Sequence, residues 1–364
     1  MLLLYVFGTI VLINCGYYLL FSKFAFYTIP EKSFQETPPV SLIICAKNEA
    51  KNLQEHLPFW LEQNHPDFEI ILINDASADE TLDVMEDFAL KHPSIKIVNV
   101  QNNEAFWASK KYALTLGIKK ASNKHLIFTD ADCKPATKHW LVEMASQFSS
   151  QKELVLGYGA YDKTNGFLNT CIRYETMLTA TQYFSYALAG MPYMGVGRNL
   201  GYTSSLYYAN NGFISHIKVA SGDDDLFVNE NATSKNTAIC VREESFTYSI
   251  PKNTWKKWIN QKKRHITTSK LYKPKHKLLL GLFYVANLLF WVGTAVIFFF
   301  YSWEIPALII GIRLLLQYVT LGNAAKKLKE NDLIPMLPFL ELFLICMQMC
   351  IFISNRPSKN PRWK

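Results

Sequence analysis

Cysteine pairs with Cys-x-x-Cys spacing are missing from this sequence. None of its seven cysteines belongs to a Cys-x-x-Cys pair, and several stand inside apolar runs. Zinc sites and redox-active dithiols use close pairs, and small secreted folds depend on a framework of paired cysteines. The pattern therefore argues against a zinc site and a disulfide framework. It favours cysteines that are buried as small core residues in a reducing compartment.

Charge is missing from the start of the chain, because residues 1–22 contain no Asp, Glu, Lys or Arg. This apolar segment is long enough to cross the hydrocarbon core of a bilayer. It also lacks a small-residue cleavage site of the Ala-x-Ala kind, so we expect a retained anchor rather than a cleaved signal peptide. Lys23 follows the segment. Since Lys and Arg collect on the cytoplasmic side of membranes, we expect the chain to enter the cytoplasm at this point.

Acidic residues are fewer than basic ones, with 30 Asp and Glu against 38 Lys and Arg and a net charge of +8. The bases gather beside the apolar segments and in 252–277, and an anionic lipid surface explains that placement more simply than nucleic acid does. Hydrophobic residues make up 49% of the chain, and the mean hydropathy is +0.02. This composition predicts a membrane protein with a soluble central part.

Further apolar segments lie near the C-terminus. Residues 278–301 and 305–321 are each predicted to span a membrane, although Arg313 interrupts the second. A charge at that depth should face protein or water rather than lipid. Residues 333–354 form a weaker third segment that contains prolines and a glutamate. If all three segments crossed the membrane, the basic tail at 355–364 would lie outside the cytoplasm. Basic residues usually lie on the cytoplasmic side instead. A re-entrant or interfacial course for 333–354 therefore stays open, with three or four spans in all.

The central part alternates between strand and helix patterns from residue 40 onward. Strands separated by helices of this length predict crossover units in a parallel sheet with helices on both faces. The predicted strands are 40–46, 68–74, 95–100 and 125–129, and the predicted helices are 48–63, 78–92 and 109–121. After about residue 150 glycines become frequent and the regularity fades, which is typical of long functional loops. A helix is still expected over 171–189.

Two carboxylates follow the apolar strand 126–129, at Asp130 and Asp132. Parallel sheets bind ligands beyond the carboxyl ends of their strands. Side chains at i and i+2 of an extended segment share a face, so both carboxylates can reach one hard divalent cation. The alternative is an ordinary acidic turn, since Asp is common in turns for local hydrogen-bonding reasons.

Other polar residues are expected at the same edge of the sheet. Asp75 follows the second strand, and Asn48 with Glu49 closes the first. A carboxylate there can accept hydrogen bonds from a base or a ribose. The alternatives are local: Asp75 as a helix N-terminal acid with Ser77 as the cap, and Asn48 as a cap of its own helix.

Lys110 and Lys111 open a predicted helix, where cations oppose the helix dipole. A bound pyrophosphate would explain them, because its negative charge is favoured by helix N-termini and by lysines alike. A solvated basic face is the alternative interpretation.

Three adjacent acids, Asp223, Asp224 and Asp225, follow a glycine. Neighbouring carboxylates repel one another and raise a pKa, which is how a general base is tuned for use near neutrality. A calcium loop is the competing interpretation, but the alternating acids and distal Glu of an EF-hand are missing.

Two further segments carry candidate binding residues. The glycine pattern at 195–201 resembles a dinucleotide fingerprint only superficially, because no strand clearly precedes it. A loop that brings Arg198 and Asn199 to a phosphate or a polyhydroxyl group is the better interpretation. Residues 252–277 are basic and aromatic, which predicts an amphipathic helix at the membrane surface. The candidate side chains in that segment are Trp255, Trp258, Gln261, Arg264 and His265.

Taken together and in order, these motifs resemble the family 2 glycosyltransferases, inverting enzymes with a GT-A fold. The likeness covers about 40–270 and is closest to the membrane-bound synthases and ceramide-glucosyltransferase-like enzymes. It is carried by Asn48-Glu49, Asp75, Asp130-x-Asp132, Gly222-Asp223-Asp224 and Gln261-x-x-Arg264. The implied fold is an α/β nucleotide-diphospho-sugar transferase fold, with a mixed, mostly parallel sheet between helices and with transmembrane helices at both ends.

The resemblance also implies roles for these residues. Asp224, with Asp223 beside it, would be the catalytic base, and Asp130 and Asp132 would hold Mg²⁺ or Mn²⁺ on the diphosphate. The nucleotide sugar would contact Asn48, Glu49, Asp75, Lys110 and Asp130, and the acceptor or diphosphate would contact Arg198, Asn199, Gln261, Arg264 and His265. His265 stands where the family motif has a tryptophan that stacks on the growing sugar chain, and this departure weakens an inference of processive synthesis.

The implied organisation and function follow from these assignments. We expect an anchor at 1–22, a nucleotide-sugar-binding half at 38–150, an acceptor and catalytic-base half at 151–250, an interfacial segment at 251–277, a membrane region at 278–354 and a basic tail at 355–364. The expected activity is the transfer of a sugar from a nucleotide sugar, expected to be UDP-linked, to a lipid-linked or membrane-associated glycan. We expect the reaction to take place at the cytoplasmic face of a bacterial inner membrane. No nucleic-acid partner is expected. The alternatives are a membrane-bound nucleotidyl or phosphosugar transferase, or an inactive scaffold of an envelope-polysaccharide complex.

Overall fold

The computed structural model describes residues 1–30, 37–101 and 109–354. The basic tail expected at 355–364 lies outside the described residues. The helices and strands are α1 (Leu2–Ala25), β1 (Val40–Ala46), α2 (Ala50–Leu61), β2 (Phe68–Asp75), α3 (Thr81–Lys91), β3 (Ile95–Val100), α4 (Ser109–Lys120), β4 (His125–Asp130), β5 (Cys133–Pro135), α5 (Trp140–Ala145), β6 (Leu154–Leu156), β7 (Gly159–Tyr161), α6 (Phe167–Leu188), β8 (Leu200–Thr203), α7 (Ser204–Ala209), α8 (Asp225–Asn231), β9 (Thr237–Ile239), β10 (Thr247–Ser249), α9 (Trp255–Ser269), α10 (Pro274–Ile297), α11 (Glu304–Lys327) and α12 (Leu337–Ser354).

A seven-stranded sheet in the order β3-β2-β1-β4-β8-β6-β9 organises the central part. β1 is parallel to both β2 and β4, and β3 is parallel to β2. β8 is antiparallel to β4 and β6. The sheet is therefore mixed and mostly parallel, as the resemblance implied. The halves expected at 38–150 and 151–250 share this one sheet, because β8 pairs directly with β4.

Both faces of the sheet are covered, which explains why its central strands are apolar throughout rather than alternating. Every residue of β1 is buried. One face packs against α2, α3 and α5 through side chains such as Leu57, Met85 and Trp140. The other face packs against α4 and α6. A smaller sheet of β5, β10 and β7 lies beyond the end of β4 and forms part of the wall of the site described below.

Two helices begin later than the sequence predicts. The helix expected at 48–63 starts at Ala50, because Asn48 adopts a left-handed backbone with φ 57°. Asn48 is therefore not a helix cap, and its side chain instead accepts a hydrogen bond from the Ala78 N–H. The helix expected at 78–92 starts at Thr81, preceded by Glu80 rather than capped by Ser77. Ser77 accepts a hydrogen bond from the Asn48 N–H. The loop after β1 and the loop after β2 are therefore hydrogen-bonded to each other.

Within the described residues, four helical segments are long and apolar enough to cross a membrane: Leu2–Ala25, Pro274–Ile297, Glu304–Lys327 and Asn331–Ser354. We call them the four apolar helices. α1 packs against α10, α11 and α6, so the apolar helices contact the central part directly. Over 333–354 the structure has the end of a 3₁₀ segment, Asn331–Met336, followed by α12. Whether this segment crosses a membrane stays a prediction. Arg313 is 0% exposed, which confirms that this charge faces protein.

Candidate functional site

A cavity of about 370 Å³ opens at the carboxyl ends of β1 and β4. Strand ends of this kind are where open α/β sheets bind ligands. α6 and α9 form its other side. The cavity brings together most of the residues that the sequence singled out: Glu49, Lys110, Asp130, Asp132, Arg198, Asp223, Asp224, Gln261, Arg264 and His265.

Lys110 lies at the centre of the acidic residues. Its Nζ is 3.1 Å from Asp130 Oδ1 and 3.0 Å from Asp223 Oδ2. Burial by itself lowers the pKa of Lys110, but the charges of Asp130 and Asp223 outweigh burial and hold that pKa well above its usual value. The lysine at the start of α4 is therefore stabilised by carboxylates on two other elements.

Lys111 has a different role from its neighbour. It is 1% exposed, and its Nζ donates hydrogen bonds to the carbonyl oxygens of His216 and Val219 at 2.8 and 3.2 Å. Burial lowers the pKa of Lys111 to about 8. The alternative of a solvated basic face at 110–111 is wrong, since both side chains are enclosed. Lys111 instead holds the segment that leads into the three adjacent acids.

Asp130, Asp132 and Cys133 form the candidate metal site. Their ligand atoms all lie within 4.8 Å of one another. Burial raises the pKa of Asp132, and the nearby Asp130 carboxylate raises it further. A divalent cation would relieve this repulsion, and carboxylate oxygens are the ligands that Mg²⁺ and Mn²⁺ prefer. The residues present therefore fit the cation that the resemblance implies.

Asp224 is held by two backbone donors. Its Oδ2 accepts from the Gly197 N–H and its Oδ1 from the Asp225 N–H, both at 2.7 Å. Burial raises the pKa of Asp224 to about 7, with further contributions from the charges of Asp223 and Asp225. A carboxylate with this pKa is suited to accept a proton near neutral pH.

Gly197 leaves room for that close approach. A Cβ at Gly197 would lie 3.3 Å from the Asp224 carboxylate, closer than ordinary van der Waals contact. The glycine pattern at 195–201 thus serves an acid on another segment. A dinucleotide fingerprint is excluded, because the pattern runs through a 3₁₀ turn into β8 instead of opening an α-helix.

Asp223 and Asp225 differ from Asp224 in their partners. Burial tends to raise the pKa of Asp223, but Lys110 outweighs it and keeps that pKa below its usual value. Asp225 accepts hydrogen bonds from Thr268 Oγ1 at 2.5 Å and Tyr272 OH at 2.7 Å. Burial raises the pKa of Asp225 although these hydrogen bonds lower it. Asp224 differs from both neighbours because its carboxylate is bound by backbone N–H groups rather than by a lysine or by hydroxyl donors.

Arg198 and Asn199 separate in the structure. The Arg198 guanidinium lies 4.2 Å from the centre of the Tyr161 ring, on the cavity wall. Asn199 is 0% exposed, and its amide donates to the carbonyl oxygens of Tyr158 and Ser245. The prediction that Asn199 contacts a ligand is wrong, because its side chain is enclosed and used within the fold.

Asn48 and Asp75 do not occur among the described residues that line the cavity. The Asn48 side chain is engaged by the Ala78 N–H, so the structure does not bring it to the site. Asp75 is 2% exposed, with Lys47 Nζ 3.8 Å from its Oδ2. A nucleoside contact by Asp75 stays a prediction.

Several cavity residues were missed by the sequence analysis. Glu175 on α6 forms an ion pair with Lys262 on α9 across the cavity wall. Tyr161, Thr268 and Tyr272 also line the cavity. They belong to no spacing motif, because they come from β7, α9 and the connection that follows α9, and they meet only in the folded chain. Only the basic character of 252–277 gave any signal for Lys262.

Comparisons with known proteins agree with this arrangement. Residues 41–194 match the family described as Glycosyl transferase family 2. Poly-beta-1,6-N-acetyl-D-glucosamine synthase from Staphylococcus epidermidis is 35% identical over 98 residues, which are 27% of this chain and 23% of the synthase. The Methanococcus voltae enzyme named dolichyl N-acetyl-alpha-D-glucosaminyl phosphate 3-beta-D-2,3-diacetamido-2,3-dideoxy-beta-D-glucuronosyltransferase is 24% identical over 226 residues, 61% of this chain and 64% of that enzyme. The matches span less than two thirds of either relative.

A solved structure supports the fold over nearly the whole chain. The mannosyltransferase PcManGT from Pyrobaculum calidifontis, in complex with GDP-Man and Mn²⁺, superposes with a TM-score of 0.58 and 16% sequence identity. The match covers 93% of this chain and 99% of that one. At this identity the likeness establishes the fold alone, which is the GT-A type that the resemblance implied.

Proposed function

We propose that this chain, whose residues 41–194 match the family described as Glycosyl transferase family 2, is a membrane-anchored, metal-dependent inverting glycosyltransferase. Its donor would be a nucleotide sugar, with UDP-linked sugars as the first candidates, and its acceptor a lipid-linked or membrane-associated glycan. The observation that carries the proposal is the meeting of the metal-site acids, Lys110 and the raised-pKa Asp224 around one cavity.

Asp224 would act as the general base. It would take the proton of the acceptor hydroxyl while that oxygen forms a bond to the anomeric carbon of the donor sugar. The bond from the anomeric carbon to the diphosphate oxygen breaks, and the nucleoside diphosphate leaves with the electron pair. One displacement of this kind inverts the anomeric configuration, through the oxocarbenium-like transition state that is general for glycosyl transfer.

The donor would lie against the strand-end residues. Asp130 and Asp132 would hold a divalent cation, which when bound would supply positive charge to the diphosphate leaving group. Lys110, Arg198 and Arg264 line the same cavity and would add positive charge around the phosphates. Glu49, also on the cavity wall, and the more buried Asp75 would face the nucleoside.

The four apolar helices would anchor the enzyme. The positive-inside bias at Lys23 supports a cytoplasmic position for the cavity, where nucleotide sugars would reach it. Trp255 packs against Phe167 and Phe343, with ring centres 6.2 and 5.7 Å apart. Such an aromatic group beside an apolar helix is typical of a membrane interface and supports delivery of the acceptor from the membrane.

The test uses the full chain in lipid nanodiscs. We expect Asp224→Asn and Asp132→Asn to abolish release of nucleoside diphosphate from UDP-sugars or GDP-mannose, whereas Glu55→Gln, an exposed acid on α2, should behave as wild type. Release of pyrophosphate or nucleoside monophosphate would instead indicate nucleotidyl or phosphosugar transfer. Near-normal release by either Asp variant, with folding intact by circular dichroism, would refute the site assignment.

A further inference from the structure

The carboxylate of Asp225 accepts three hydrogen bonds. Its Oδ2 accepts from Thr268 Oγ1 and from Tyr272 OH, and its Oδ1 accepts from the Leu226 N–H at 2.8 Å. A carboxylate with these partners is held in a fixed position, and it lines the same cavity as Asp224. The arrangement gives Asp225 a role different from that of its neighbour.

The hydroxyl donors come from the acceptor side of the cavity. Thr268 lies in the last turn of α9, the helix that carries Gln261, Arg264 and His265, and Tyr272 lies in the connection between α9 and α10. Residues 268–276 are called the α9–α10 junction below. Asp225 therefore joins the turn that carries Asp224 to the point where the chain enters an apolar helix.

A second contact from α8 reaches the same junction. Asn229, one helical turn after Asp225, accepts a hydrogen bond from the Lys273 N–H at 2.9 Å and lies 3.0 Å from His276 Nδ1. Its amide also donates to the Tyr193 carbonyl oxygen at 2.7 Å. Residues four apart share one face of a helix, so one face of α8 holds the α9–α10 junction at two points.

We propose that Asp225 is a positioning residue that fixes the distance between the base Asp224 and the acceptor-side helix α9. This inference rests on the proposed function. The carboxylate binds α9 and the α9–α10 junction, and its backbone N–H binds Asp224 Oδ1. Movement of the start of α10, an apolar helix, is thereby transmitted to the base. The first two partners of Asp225 are hydroxyl groups, so each can be removed with little change in side-chain volume.

The experiment compares Thr268→Val, Tyr272→Phe and the double variant with wild type in nanodiscs. Thr268→Ser keeps the hydroxyl and should restore wild-type behaviour. Thr267→Val is the matched control, because the Thr267 hydroxyl donates to the Arg264 carbonyl oxygen within α9. The measurements are hydrogen exchange by mass spectrometry and steady-state hydrolysis of UDP-N-acetylglucosamine or GDP-mannose with Mn²⁺.

We expect faster exchange at both 222–228 and 268–276 in the double variant, with exchange at β1 unchanged. In steady state we expect kcat to fall roughly tenfold, as for loss of hydrogen bonds to a charged group, while KM for the donor stays within about twofold. A purely structural role would lower the amount of folded protein or change both constants together.

The inference is overturned if exchange rises at 268–276 alone, or if KM rises as much as kcat falls, or if Thr268→Ser behaves like Thr268→Val. Failure of the proposed function is distinguishable, because it would appear as absence of donor hydrolysis by wild type. Hydrogen exchange at 222–228 and 268–276 shows whether these two segments are coupled, whether or not the wild type hydrolyses the donor.

Discussion

The protein contains two clusters of buried charge that are built in opposite ways. Among the apolar helices, Arg313 Nη2 lies 2.7 and 2.6 Å from the two carboxylate oxygens of Glu341, so one positive group meets one negative group. Asn287 and Gln317 accept further hydrogen bonds from this guanidinium. In the cavity, by contrast, Lys110 faces an excess of carboxylates that adjoin open space.

The difference separates a structural cluster from a reactive one. A buried ion pair has no net charge with which to attract a ligand. Removing one partner leaves the other charge buried and uncompensated. A cluster with surplus carboxylates raises pKa values and favours the arrival of a cation or a proton. Arg313 and Glu341 therefore hold α11 to α12, whereas Asp130, Asp132 and Asp224 are available for chemistry.

The largest expected effect comes from breaking the closed cluster. Glu341→Leu should destabilise the protein by about 3–5 kcal/mol, because Arg313 would remain buried without its counter-charge. The double variant Arg313→Leu/Glu341→Leu should recover much of that loss. Thermal unfolding in nanodiscs measures both, and a double variant as unstable as Glu341→Leu would contradict the pairing.

In the cavity the expected change is in rate rather than stability. Lys110→Met should lower nucleoside diphosphate release by roughly 100-fold, the scale seen when one group that stabilises transition-state charge is removed. Lys96→Met is the control, since Lys96 pairs with Glu69 near the amino ends of β3 and β2, at the opposite end of these strands from the cavity. A stability loss in Lys110→Met as large as its activity loss would place Lys110 with the structural charges.

A smaller effect should appear in the pH dependence. The rate should rise with pH through a pKa near 7, because the base must be deprotonated and burial holds the pKa of Asp224 at about that value. Asp223→Asn removes a negative charge that helps to raise this pKa, so the acidic limb should move to lower pH. An unchanged limb, or one moved upward, would show that Asp224 is not the group that titrates.

The smallest effect is expected for a surface pair. Lys329 and Glu243 form an ion pair although their side chains are 49% and 54% exposed. Lys329→Met should change stability by less than about 1 kcal/mol, since water and salt screen such pairs. Unfolding scans at low and high salt test this expectation, and a loss close to that of Glu341→Leu would mean that exposure does not distinguish the two pairs.

The sequence was informative where the structure depends on local patterns. The strands around Asp75 and Asp130 could be predicted because apolar runs ending in acids report burial followed by a sheet edge. Arg313 could be predicted to face protein or water, because a charge inside an apolar segment is costly when it faces lipid. The sequence also shows a glutamate, Glu341, in the last apolar segment. Its pairing with Arg313 could not be predicted, because it depends on how α11 and α12 pack.

Other features depend on contacts between distant segments. Asn199 stands beside a cavity residue in sequence, yet its side chain turns into the fold to bind Tyr158 and Ser245. The bonds of Asp225 to Thr268 and Tyr272 join segments more than 40 residues apart. No spacing rule reports such contacts, which is why the residue pattern alone could not tell the three adjacent acids apart and only the family resemblance singled out Asp224.

The most direct test of a single displacement assisted by Asp224 is the anomeric configuration of the product. Proton NMR of the newly formed linkage, or of the free sugar at early times when water is the acceptor, reports this configuration against that of the donor. We expect inversion in wild type and no product from Asp224→Asn. Retention of the donor configuration would contradict it, because retention requires a second displacement.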